Sequence, residues 1–213
     1  MNFFRMRILI FLFVVIGYCV NANAQVAPIY FYGNQVTQDK DKATSYAVYG
    51  KLSTGNIYTF KRFDLYDNLL QTGSFADESL AVPHGKFTFY SDVNEFNYLY
   101  KESFTIKGKT RFISQEGNFV NGVEQGKWLL YFPDGNVFNS QEFVDGKLHG
   151  KFITFDRYGK TIVTGNYVSG EKDGEWLFEN DKIKEVYNMG VLVSREKIKK
   201  SKQIKGTIQS QNE

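Results

Sequence analysis

Between Phe119 and Tyr187 the apolar and polar positions recur in one register. Phe119-Val120-Asn121-Gly122 returns as Phe143-Val144-Asp145-Gly146 and again as Tyr167-Val168-Ser169-Gly170, each step being 24 residues. The positions that follow keep step: Gly126-Lys127-Trp128, Gly150-Lys151-Phe152, Gly174-Glu175-Trp176. A fixed period of this size is the mark of a repeat architecture. Asn-Gly and Asp-Gly between apolar runs are hairpin signals, because glycine reaches positive φ without a steric penalty. Alternate side chains of a strand share a face, so Trp128, Leu130 and Phe132 fall on one side and Leu129 and Tyr131 on the other. Stacked hairpins then bring Trp128, Phe152 and Trp176 into one aromatic column and Phe119, Phe143 and Tyr167 into a second. Phe152, in the middle of its column, is expected to carry more stability than Trp176 at the end.

The same text runs further upstream in looser form. Aromatic-x-x-aromatic occurs as Phe63 to Tyr66, Phe87 to Tyr90, Trp128 to Tyr131 and Phe152 to Phe155, while the last copy ends at Glu179. His84-Gly85-Lys86-Phe87 returns as His149-Gly150-Lys151-Phe152. Ser45 to Tyr49 and Ile57 to Phe60 alternate like half-buried strands. Spacing is irregular from Tyr90 to Gly117, where extended hairpins are expected around Phe96 to Tyr100 and Ser103 to Ile106. The pattern predicts an all-β chain: an elongated antiparallel meander of repeated β-hairpins in a single twisted sheet over residues 45–193, with no substantial helical domain. Residues 25–44 are expected to form an edge strand or cap, and residues 194–213 a basic polar tail.

Composition agrees with strands and tight turns, with 20 Phe, 14 Tyr and only 3 Pro in 213 residues. The N-terminus changes the picture more. Two arginines by position 7, the apolar run Ile8 to Gly17 and the small residues of Ala22-Asn23-Ala24 have the three-part layout of a signal peptide over residues 1–24. Cleavage is expected between Ala24 and Gln25, placing the product in the periplasm, at the outer membrane or outside the cell. A membrane span is the alternative, but the apolar stretch falls short of the roughly 18–20 residues that one needs. A lipoprotein would have to use Cys19, preceded by the bulky Tyr18. Cys19 is the only cysteine, so a chain cleaved after Ala24 has no disulfide, thiolate metal ligand or thiol nucleophile. The formal net charge of +3 is uneven: without the two leader arginines and the net four positive charges of residues 194–213, it becomes −3. A body of that balance lacks the basic face of a nucleic-acid binder. The tail isoleucines, Ile198, Ile204 and Ile208, leave a basic amphipathic helix as its alternative to a solvated segment.

The order Gly126-Lys127-Trp128-x-x-Tyr131, a turn, a strand, then Phe143-Val144-x-Gly146-x-x-x-Gly150 resembles the MORN-repeat variant of bacterial proteins, some of which are labelled YwqK-type antitoxins. The likeness is good over Phe119 to Tyr187 and looser over Phe63 to Tyr90. It implies an elongated sheet of hairpins acting as a non-enzymatic scaffold or binding surface. The motif residues, Gly85, Phe87, Tyr90, Phe119, Gly122, Gly126, Trp128, Tyr131, Phe143, Gly146, Gly150, Phe152, Phe155, Tyr167, Gly170, Gly174 and Trp176, would then be structural.

Candidate chemistry is sparse. His84 and His149 invite an acid–base or metal reading, but each precedes glycine at one repeat position, so a turn role serves equally. Asp134, Asp145 and Asp173 could form a calcium ladder, although Asp-Gly is ordinary turn chemistry. No phosphate loop, dinucleotide fingerprint or nucleophile elbow occurs. No catalytic residue, metal or cofactor is therefore expected. The leading expectation is an exported module binding another envelope protein. A protein attached to a membrane surface or glycan is the alternative. An antitoxin-like inhibitor ranks lower, because export would remove the chain from a cytoplasmic toxin.

Overall fold

The computed structural model describes residues 28–52, 56–179 and 182–198. The expected leader, Cys19 and the tail beyond Ile198 lie outside the described residues. Strands β1 (Ile29–Tyr32), β2 (Gln35–Thr37), β3 (Ser45–Lys51), β4 (Tyr58–Asp64), β5 (Leu69–Phe75) and β6 (Gly85–Asp92) lead to a single helix, α1 (Val93–Tyr100). After it come β7 (Arg111–Val120), β8 (Val123–Tyr131), β9 (Val137–Val144), β10 (Lys147–Leu148), β11 (Gly150–Phe155), β12 (Thr161–Val168), β13 (Glu171–Phe178), β14 (Ile183–Asn188) and β15 (Val191–Lys197). All fifteen strands form one open antiparallel sheet in meander order. The exceptions are β1, which lies between β2 and β3, and the two-residue β10, which continues the β9 hairpin. The all-β meander expected from the repeat is the observed fold.

Two boundaries differ from expectation. Where hairpins were expected after Tyr90, the chain forms α1 and a loop. Asp92 caps the helix by accepting from the amides of Asn94 and Glu95, at 2.8 and 3.0 Å. Val93 and Phe96, three apart, are its buried residues. Lys101, in the left-handed region, ends it by donating a hydrogen bond from its amide to the Asn97 carbonyl. At the C-terminal side the sheet does not stop at Val193. β15 pairs with β14 through Lys197, so Ser194 to Lys197 belong to the sheet rather than to the tail.

Aromatic rings fill one face without any second layer over most of its length. Phe87 stands opposite Gly117 in the ladder and Phe152 opposite Gly165. Trp128 lies across Gly117 and Trp176 across Gly165, where an added Cβ would overlap the indole. Each large ring thus lies over the space left by a neighbouring glycine. This explains how Trp128 and Trp176 are only 2% and 1% exposed on an open sheet. The two expected columns are one zigzag: Phe87, Phe119, Trp128 and Phe143 meet edge to face at centroid distances of 4.9, 5.1 and 6.0 Å. A second run joins Phe152, Tyr167 and Trp176. Among the described residues no ring contact joins Trp128 to Phe152; Gln141 stands opposite Trp128, where Phe87 and Phe152 each face a glycine. Phe152 is half-buried and Trp176 nearly fully buried, which reverses the expected order of their contributions.

Candidate interaction surface

The repeat residues form an interlocking set of turns. Asn121-Gly122, Asp145-Gly146, Ser169-Gly170 and Met189-Gly190 all have two successive positive φ values, as hairpin turns of the primed type require. Each turn glycine donates to a carbonyl of the preceding hairpin: Gly122 to Pro83, Gly146 to Glu124, Gly170 to Leu148 and Gly190 to Lys172. The other turn amide is taken by an upstream side chain that immediately precedes a glycine of the repeat, Gly85, Gly126, Gly150 or Gly174. His84 Nδ1 accepts from Asn121, Gln125 Oε1 from Asp145, His149 Nδ1 from Ser169 and Asp173 Oδ1 from Met189. The two histidines therefore share one position with a glutamine and an aspartate, and an acceptor atom is what that position requires. Asp134 likewise binds its own turn, accepting from the Asn136 amide at 3.0 Å. Among the described residues no three His, Cys, Asp or Glu side chains gather as a metal-holding group.

A cleft with a largely apolar lining lies at one end of the sheet. It encloses about 450 Å³ between Ile106 and Lys109 of the loop after α1, Arg111 and Ile113 of β7, and the segment from Tyr131 to Gly135. Arg111 fastens its floor, donating from Nε to the Leu69 carbonyl at 3.1 Å and from Nη2 to the Tyr90 carbonyl at 2.9 Å. Along the wall, Lys86 Nζ lies 2.7 Å from Glu116, and the Tyr131 hydroxyl donates to the same carboxylate at 2.6 Å. The lysine and the tyrosine hydroxyl hold Glu116 below the usual carboxylate range. Burial and the neighbouring carboxylate push the Tyr131 hydroxyl up to about 12. These bonds fix the wall in place.

Several large exposed side chains project from the same end. A meander returns alternate turns to one end of the sheet. Here those are the β4–β5 turn, the α1 insertion, the β8–β9 turn and the β11–β12 turn. Leu65 and Tyr66 project from the first, Tyr98, Leu99 and Tyr100 from the insertion, and Tyr158 from the last. Tyr66, Tyr98 and Tyr158 are 88%, 85% and 86% exposed. Arg157 ties the β11–β12 turn to the insertion by binding Glu102 at 2.9 Å and lying 4.5 Å from the Phe104 ring centre. Beneath them, Phe96, Phe104, Phe112 and Phe132 form a buried cluster that holds α1 against the sheet. Tyr98-Leu99-Tyr100 lies outside the repeat residues that the sequence pattern singles out. Its signal was an apolar run inside the one segment that breaks the 24-residue spacing. No protein-family model matches the chain, and no curated protein does.

Proposed function

We propose that the chain is a non-enzymatic, MORN-like hairpin module, exported to the cell envelope, whose turn-bearing end docks another protein. The carrying observation is the α1 insertion: it interrupts the hairpin array and exposes Tyr98, Leu99 and Tyr100, the last two lining a groove of about 220 Å³ with Phe96 and Phe138. Insertions in repeat arrays collect on one face, often the binding face. Aromatic side chains suit such a role because they contribute large contact area with few rotors to fix. The leader layout, Arg5 to Ala24, supports export. The test is a Tyr98→Ser, Leu99→Ser variant, compared with wild type in crosslinking to envelope proteins. Loss of a discrete protein adduct with an unchanged urea midpoint is expected. An undiminished adduct would refute the placement.

A membrane surface or a glycan is the second reading, supported by the exposed tyrosines Tyr66, Tyr98 and Tyr158, whose rings suit a headgroup layer or a sugar face. Co-sedimentation with vesicles or envelope glycan, lost in the same variant, would favour it over protein docking.

A further inference from the structure

We propose that the outer edge of β15 is a second docking site, which takes an extended, acidic segment of another protein as a sixteenth strand. This goes beyond the turn-end surface and stands or falls separately from it. β15 ends the sheet: it pairs with β14 on one side, and no strand of the described residues lies on the other. Val191, Leu192 and Val193 are 68%, 48% and 63% exposed. An edge of this kind offers unpaired backbone groups to another chain, and proteins ordinarily blunt it. The opposite edge is blunted, since β2 has three residues.

The strand also has a polarity. Ile198 donates its amide inward to the Lys182 carbonyl, so by alternation Ser194 and Glu196 face inward and Arg195 and Lys197 present their backbone groups outward. Arg195 is paired with Glu185 and Glu196 with Lys184, at 3.4 and 3.7 Å. Lys197 has no such partner among the described residues. In the sequence Lys199, Lys200, Lys202 and Lys205 follow it before the next acid, Glu213. The described edge is therefore apolar at its start and ends on the cationic Lys197, and the sequence that follows it is cationic as well. An antiparallel partner strand matches it with acidic residues in its N-terminal half and β-branched residues in its C-terminal half. Main-chain bonds would hold that strand, and the charges would set its direction.

The test uses a fluorescent peptide of that design, a second in which lysines replace its acids, and fluorescence anisotropy with the protein. Two variants remove the same charge: Lys197→Ala keeps the outward amide, whereas Lys197→Pro deletes it, a change that an edge strand tolerates at an outward position. Binding of the acidic peptide should weaken with salt and should be at least about tenfold tighter than that of the basic one. Lys197→Pro should bind at least about tenfold more weakly than Lys197→Ala. Amide-exchange protection of Glu196 and Ser194 in both variants shows that β15 remains paired. Absence of binding, equal binding of the two peptides, or equal behaviour of the two variants with β15 intact would overturn the proposal. So would a β15-dependent dimer in sedimentation that excludes the peptide, which would make a second copy the occupant.

Discussion

At the scale of single residues, the fold depends on glycines that make room for rings. Gly117→Ala and Gly165→Ala would drive a Cβ into Trp128 and Trp176. Each should cost about 1–3 kcal/mol by overpacking. Gly50→Ala meets nothing within 4 Å and should be nearly neutral or slightly stabilising, so urea melts of the three variants separate ring overlap from backbone effects. The two indoles differ as well. Trp176 Nε1 donates to the Asn166 carbonyl at 3.1 Å, whereas Trp128 Nε1 is buried with no partner among the described residues. Trp176→Phe should therefore destabilise more than Trp128→Phe, since only the former breaks a bond. Tyr131 gives a pH signature. Its folded pKa is raised, so its contribution is complete below pH 10 and is lost as pH rises towards about 12. Tyr131→Phe should flatten alkaline unfolding in that window, read as the urea midpoint against pH. The large rings were legible in the sequence because they recur every 24 residues. Their glycines were not, because Gln141 occupies the middle copy and hides the period of Gly117 and Gly165.

Among elements, α1 departs furthest from the hairpins expected there, and the reason is local. Phe96 to Tyr100 is rich in residues that favour strands, and aromatic content outweighed spacing in that reading. The helical signal was present: Asp92 with Glu95 three residues on, then Phe96 and Tyr100 four apart, whose rings lie 4.5 Å apart. Asp92→Ala should cost about 0.5–2 kcal/mol through loss of the cap, and should loosen the insertion before the sheet. Amide exchange should show Asn94 to Asn97 losing protection while β8 and β9 keep theirs. The order of contributions among repeats is also set by contact rather than by position in the array. Trp176→Ala should cost about 3–5 kcal/mol and Phe152→Ala less, since only the former empties a fully enclosed site. Equal losses in urea melts would mean that the zigzag does not govern stability.

For the whole molecule, the meander has two consequences. It makes stability local, because each strand touches mainly its neighbours, and it gathers alternate turns at one end. The fold class was readable because period, turn chemistry and alternation agreed. The proposed docking end was not, because exposure depends on which turns the meander brings together, and the repeat pattern does not encode that. If the leader directs export as proposed, the intact mass of the exported chain should begin at Gln25; retention of Phe3 to Tyr18 would contradict export by cleavage. The most direct test of the proposed docking end replaces Tyr98 with a photo-crosslinking phenylalanine analogue in cells, and Val144, exposed beside a turn at the other end of the sheet, in a parallel strain. The proposed function predicts a protein adduct of discrete mass from position 98 and none from position 144. Adducts with lipid or glycan alone, or the same protein adduct from both positions, would contradict it.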